Sequence, residues 1–450
     1  MKKFISLLLI ATFLIAIFAG CGAANNAPGT ETQPDGVQTT ASVESTEKVQ
    51  EEPKVLRITS QSWIPSKYKL YEAVERFKKD HPGVEVTVNL IDNMDTSSYI
   101  LQWSQGKTNA DLCLGGIREY IDQYAAKGFL VDFNNDFYDD TLKKEDFIPT
   151  LLEMSSIEGK QYMLPLLGEI MYLVVNKNLM KAAGLTDEKG NVIPPKTWEE
   201  LYDYARKTTV VKNGKAEQYG LGIDFQMDKM PYLFLASLQG TRGDIYTDDK
   251  LTLDFKSEEA KKLLTMWKKL VSDGYTPIGT FADPDANRTS FKSGNLAMHM
   301  TAASRWIEAG ALLGSNNVTV MPIPGTENKG TVLYTEGVYI PKLSPAQNLA
   351  KQFIKEQIMQ ADFFSYNMNL YGKIPPLQNV YESALAPEWA GIKDAAGKVV
   401  ISPLYREWPK LTDVWVVEFQ KALTGKQSIE ESLANVDKAV NAIDKTTGVE

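Results

Sequence analysis

The sequence predicts an α/β protein built of layered units with largely parallel sheets. Two patterns carry that prediction. From Lys54 onward, short runs of strand character alternate with stretches whose apolar residues recur at helical spacing. Several of the helical stretches also open on a side-chain cap, which marks where they begin. Such alternation favours helices packed on the faces of a sheet.

Val55, Leu56 and Ile58 begin the first strand. Leu70, Val74 and Phe77 follow at i, i+4 and i+7, the buried face of a helix that His81-Pro82-Gly83 brings to an end. Val84, Val86, Val88 and Leu90 alternate as a half-buried strand does, which completes a β-α-β unit. Residues 111–114 read as a buried strand ending at Gly115-Gly116. The next helix sets Tyr120, Ile121 and Tyr124 on one face and closes at Gly128. Thr197 with Glu200, Ser344 with Gln347 and Ser428 with Glu431 have the spacing of capping boxes, in which side chains satisfy free amides of a first helical turn. Pro345 is expected at the first position of its helix, where no N–H is needed. Trp103, Trp198 and Trp267 stand among other apolar residues and are expected in the core.

Ahead of this region the sequence changes character. Lys2 and Lys3 precede an apolar run over residues 4–19, followed by Gly20 and Cys21. A basic start, an apolar segment and small residues at its end describe an export signal. A bilayer span needs about 20 apolar residues, so the run is short for an anchor. Phe18-Ala19-Gly20-Cys21 resembles a bacterial lipobox, with Phe18 where Leu is usual. That resemblance implies a signal peptide over 1–20 and a lipid on Cys21. Residues 22–53 hold no aromatic, Leu or Ile and cannot bury enough apolar surface to offset the entropy of ordering. Residues 21–53 are therefore expected to be a flexible tether with a reach of roughly 30 Å. With Cys21 lipidated, Cys113 stands alone and no disulfide forms within the chain.

Bulk composition narrows the function. With 43% hydrophobic and 23% charged residues the chain is ordinarily globular. A formal net charge of −9 argues against nucleic acid, whose phosphates call for Lys and Arg. His81 and His299 are the two histidines, and the sequence has no His-Glu-x-x-His, Gly-x-Ser-x-Gly or Gly-Lys-Ser/Thr phosphate loop. No enzyme and no cofactor are expected, although a glycosidase needs only two carboxylates. A metal receptor would want more histidines. Asp132, Asn134 and Asp136 have partial calcium-loop spacing, but Phe137 replaces the required Gly and Lys143 the closing Glu.

Several segments together resemble the carbohydrate-binding extracellular solute-binding proteins of bacterial ABC importers. They are "RFKKDHPGVEVTV", "DLCLGGIREYIDQYAAKGFLVDF", "GKQYMLPLLGEIMYLVVNKNLMKAAGL" with "PKTWEELYDYARK", then "FKSGNLAMHM", "VTVMPIPG" and "GKIPPLQNVYES". Their order is more specific than any one of them. The resemblance covers residues 54–450 and implies a two-lobe fold with a hinge and a ligand cleft between the lobes. One lobe would use 54–167 and 337–372, the other 168–336 and 373–450. A monomer is implied, tethered by its lipid, that delivers a sugar or oligosaccharide to permease subunits. Service to a membrane sensor, or a non-sugar solute, is the alternative on the same fold.

A sugar presents apolar C–H faces that pack on aromatic rings and a hydroxyl edge that wants planar hydrogen-bonding groups. Glu169 follows residues 164–168 (Leu-Pro-Leu-Leu-Gly) and falls where the family has a ligand-binding Glu; a structural acid at a lobe crossing is the other reading. Gln61, Ser62 and Trp63 follow the first strand, where the family often lines its cleft and where a packing Trp would also fit. Arg118 and Glu119 follow Gly115-Gly116 at the cleft end of a strand, or else face water. The resemblance sets Arg305 and Trp306 near a sugar-stacking Trp, with the register off by a residue or two. Tyr232 matches a sugar-contacting Pro-Tyr, with Met230 in place of the flanking acid. Trp408 or Trp415 is expected to stack on the ligand.

Overall fold

A computed structural model of the protein describes residues 54–445 apart from 93–95, 227–228 and 404. The expected signal peptide, Cys21 and the tether lie outside the described residues.

The opening β-α-β unit forms as its apolar spacing requires. Val55–Gln61 pairs in parallel with Glu85–Ile91 on one side and Leu112–Ile117 on the other. Leu56 and Ile58 are buried against Leu70, Val74 and Phe77 of the helix Leu70–Asp80. Beyond Leu112–Ile117 the sheet departs from the expected parallel order. Its next strand is Val332–Tyr339, antiparallel to it, followed by Leu164–Asn176, again antiparallel. Leu296–Ala302 continues the sheet antiparallel to Leu164–Asn176, with Lys215–Ile223 parallel beyond it. Parallel pairing survives among the first three strands and between Leu296–Ala302 and Lys215–Ile223, while the edge strand Val210–Lys212 is antiparallel to Lys215–Ile223. The two central strands carry the chain from one half to the other and back, so they run in opposite directions.

Leu164–Asn176 is the spine of the molecule, thirteen residues long and buried throughout. Its first part pairs with Val332–Tyr339, and its second with Leu296–Ala302 and Val318–Met321. Met171, Leu173 and Val175 point into one core, Tyr172 and Val174 into another on the opposite face. Burial on both faces explains its near-continuous apolar sequence. A third crossing lies beside it: Gly168 N–H donates to Ile374 O at 2.8 Å and Ile374 N–H returns to Gly168 O at 3.1 Å. At the same level the pairing register of Val332–Tyr339 shifts between Glu336 and Gly337, a bulge in the return strand. Small residues are required there. A Cβ on Gly168 would come within 2.8 Å of Leu151, and one on Gly337 within 2.7 Å of Met163.

Thr197 and Ser428 cap their helices as expected, accepting from the amides of Glu200 and Glu431. The Ser344–Gln347 box does not form. Ser344 Oγ donates to Asp111 Oδ1 at 2.8 Å and accepts from Ala346 N–H, so the helix starts at Gln347 and Pro345 lies outside it. Asp111, which also binds Arg57 at 2.8 Å, recruits the serine that would have been the cap. Trp103, Trp198 and Trp267 are buried. Among the described residues, no helix is long and apolar enough to cross a membrane.

Candidate functional site

Where the two halves of the sheet meet, the strands and their connections bring polar and aromatic side chains into one buried seam. Glu169 is its centre. The strand is longer than its apolar run, so Glu169 lies within it and is 1% exposed. Its Oε1 accepts from Ser304 Oγ at 2.7 Å and from the ammonium of Lys373; its Oε2 accepts from no described residue. Lys373 is placed by Gly372, whose left-handed backbone (φ 70°) lies against Ser304; a Cβ there would come within 2.8 Å of the Ser304 carbonyl.

Tyr334 is the cross-strand partner of Glu169. Its hydroxyl accepts from Lys229 Nζ at 2.9 Å, and Tyr232 stacks on its ring at 5.2 Å between centroids. Trp408 stands 6.0 Å from Tyr232 on the other side. These faces come from one half of the molecule and from the return strand. Opposite them, Trp63 Nε1 donates to Gln61 Oε1 at 3.2 Å, and Gly116 N–H donates to the same oxygen at 3.1 Å. The Lys373 ammonium lies 5.9 Å from the Trp63 ring. Gly115 has φ 101° and packs where a Cβ would strike the Gln61 amide, so the turn into the helix Arg118–Ala126 depends on glycine.

That helix supplies direct contact across the seam. Arg118 Nη1 donates to Ser402 O at 3.1 Å, and Ser402 Oγ donates to Glu119 Oε1 at 2.5 Å. Beside them a cavity of about 300 Å³ is lined by Arg118, Ser402, Tyr246 and Tyr405, among others. A larger groove of about 1070 Å³ lies elsewhere, beside Tyr172, Trp306 and Trp389, away from this chemistry.

Burial and charge set the protonation of these groups. Burial opposes ionisation of Glu169, but Lys373, with Arg305 and Lys229 behind it, holds the carboxyl below its usual range. Burial, reinforced by Glu119, pushes the Tyr232 phenol well up. Asp122 rises to about 6 through burial, which outweighs Arg118 and Arg406.

The structure thus brings Gln61, Trp63, Arg118, Glu119, Glu169, Tyr232 and Trp408 together, with Arg305 at the edge. Three expected residues stand apart. Ser62 points outward and donates to Asp92 Oδ1 at 3.0 Å. Trp306 packs in the core behind the seam and lines the separate groove. Each helical residue turns about 100° from the last, so the resemblance's uncertain register matters: Ser304, not Trp306, meets Glu169. Trp415 lies two turns beyond Trp408; both are buried, but Trp415 is edge-on to Phe255 at 4.6 Å and Phe234 at 5.9 Å, away from Tyr232. It belongs to the core. The sequence reading missed Lys229, Ser304, Tyr334, Lys373 and Ser402. Lys373 was reachable, since it follows the glycine of a quoted segment; Tyr334 carries no local signal.

Planar amide, carboxylate and guanidinium groups beside stacked rings suit a polar ligand with apolar faces. Among the described residues, no group of three metal-ligating side chains stands together. Asp132, from the partial calcium pattern, instead accepts from the amides of Asn134 at 3.0 Å and Gln161 at 3.1 Å.

Comparisons with known proteins agree with one another. The family model of the bacterial extracellular solute-binding proteins matches residues 72–394. A putative binding protein of Brucella abortus is 24% identical over 383 residues, 83% of this chain and 89% of that one. An uncharacterized ABC transporter extracellular-binding protein of Pyrococcus horikoshii is 22% identical over 432 residues, 94% of this chain and 92% of its own. Among solved structures, an ABC transporter solute-binding protein from Thermotoga lettingae, bound with α-D-tagatose, has a TM-score of 0.74 at 22% identity, covering 86% of this chain and 99% of that one. Maltose-bound MalE3 of T. maritima gives 0.72 at 20%, with the same coverage. These likenesses establish the two-lobe, cleft-bearing fold.

Proposed function

The chain belongs to the bacterial extracellular solute-binding proteins, and from that premise we propose that it captures a sugar or oligosaccharide outside the cell and delivers it to an ABC importer. The seam carries this reading. Tyr232, Tyr334 and Trp408 offer ring faces, while Glu169, Glu119, Arg118 and Gln61 offer planar partners for hydroxyls. Two relatives of the same fold carry tagatose and maltose, which favours this class of ligand.

The lobes are 54–167 with 337–372 and 168–336 with 373–450. Support comes from the Glu336/Gly337 register shift, the Gly168–Ile374 pairing and the turn at Gly372, which all lie at those limits. Closure rotates one lobe on the three crossings, and the ligand stabilises the closed state by contacts to both. The binding residues are Gln61, Trp63, Arg118, Glu119, Glu169, Tyr232, Arg305 and Trp408, joined by Ser304, Tyr334 and Lys373. The protein binds without turnover, as a monomer held to the membrane by a lipid on Cys21, with permease subunits as partners.

A thermal-shift screen of the full chain against mono- and oligosaccharides tests this. A ligand that binds only the folded state raises the melting temperature by mass action. A rise with one sugar class names the cargo. Silence to every sugar, with a rise for peptides, polyols or metals, would sink the sugar reading; released product would sink the non-enzymatic one. Cys21→Ala should move the protein from the membrane to the medium, and retention on the membrane would contradict lipid anchoring.

A further inference from the structure

At the end of the seam beside Trp63, positive charge collects in excess of the carboxylates that answer it. Lys67 on the short helix Ile64–Tyr68, Arg305 at the start of its helix and Lys373 after Gly372 converge from three segments. Packing fixes that convergence. Lys67 O accepts from Asn367 Nδ2 at 3.2 Å on the helix Ala361–Tyr371, which runs into Gly372, and Gly372 lies on the Ser304 backbone.

Glu169 answers Lys373. Glu308 is 3.4 Å from Arg305 but also serves Arg288 and, at 3.1 Å, Lys292. Lys67 has no carboxylate partner among the described residues; its ammonium rests over the Tyr371 ring at 4.8 Å. Its environment is felt in its proton affinity: burial first, then Lys373 and Arg305, bring its pKa down to about 8. Asp285 takes Arg288 as well, at 3.1 Å, so Lys67, Arg288, Lys292, Arg305 and Lys373 face Glu169, Glu308 and Asp285, an excess of cations in a chain whose formal net charge is −9. Gathering like charges at partly buried positions costs stability, and an anion placed among them would remove that cost.

We propose that the ligand is a sugar bearing an anionic group, and that Lys67, Arg305 and Lys373 hold that group while the stacked rings of the seam take the sugar face. The inference rests on the sugar-binding reading and narrows it. Carboxylate, sulfate and phosphate share the required charge, and the test separates them.

The full chain is titrated calorimetrically with digalacturonate, glucose 6-sulfate and glucose 6-phosphate, each beside its uncharged parent, digalactose or glucose. One acid should bind at least about tenfold more tightly than its parent in low salt, with the advantage shrinking as screening increases. Lys67→Met should remove most of that advantage and Lys67→Arg should keep it, which separates lost charge from lost fold. Parents that bind as well as their acids would overturn the anionic inference and leave the sugar reading standing. An advantage untouched by Lys67→Met would overturn the assignment of Lys67. Failure of every sugar, charged or neutral, would remove both.

Discussion

Asp224 and Glu169 are both buried carboxylates with a basic partner, and their surroundings differ in kind. Asp224 accepts from His299 Nε2 at 2.7 Å, Thr301 Oγ1 at 2.7 Å and Asn287 Nδ2 at 3.2 Å. All three partners come from residues 287–301, in the strand Leu296–Ala302 and the helix just before it. Glu169 takes its partners from Ser304 and Lys373, and every segment involved lies at a crossing or opens from one. Where a buried charge is satisfied within one layer, it reports on folding. Satisfied beside the crossings, by Ser304 and Lys373 of its own lobe, it marks the boundary where the lobes meet.

The largest test of that contrast is Asp224→Ala, which strands three buried polar partners. It should lower unfolding stability by about 3–5 kcal/mol in denaturant melts, while the protein that remains folded binds ligand normally. A wild-type midpoint would break the comparison. Trp415→Ala, in the core, should cost a similar ~3–5 kcal/mol. Trp408→Ala, in the same buried cluster, should cost stability too and in addition lose affinity in calorimetry. Unchanged affinity in the folded variant would mean that Trp408 is only core.

Glu169→Gln sharpens the other side. Losing hydrogen bonds to a charged group should weaken ligand binding by about 1.5–3 kcal/mol, with a smaller fall in stability than Asp224→Ala because opening the lobes admits water to Lys373. The reverse ranking would place Glu169 with the structural acids. The smallest effect is on pH. Both carboxyls are held below their usual range, Asp224 by His299, Thr301 and Asn287 against burial and Glu169 chiefly by Lys373 against burial. A lowered folded pKa adds stability above the unfolded value of about 4, and that stability is lost as pH falls through the folded value. Melting temperature followed downward from pH 6 should therefore fall less steeply in Asp224→Asn than in the parent.

Much of the fold was legible because local chemistry and final structure agree. Leu70, Val74 and Phe77 fix a helix face, and Ser428 caps its helix whatever surrounds it. Ser344 failed because a distant acid, Asp111, competed for its hydroxyl. Largely parallel sheets were expected because strand-helix alternation says nothing of a strand that leaves one lobe for the other. Glu169 could be found from the segment around it, but Tyr334 and Lys373 reach it from 165 and 204 residues away. Trp306 shows the limit of motif transfer, since a slip of two residues on a helix exchanges cleft for core.

The place of Val332–Tyr339 between Leu112–Ile117 and Leu164–Asn176 also sets the order in which the molecule can be completed. When the first 176 residues have been made, two of their strands still lack the neighbour they share. Both present open hydrogen-bonding edges, which are templates for aggregation. Those edges close only when residues 332–339 arrive, and such long-range pairing is slow. The sheet of the N-terminal lobe is thus closed late, at its centre, and a chain cut short before residue 332 carries a sheet with a missing plank.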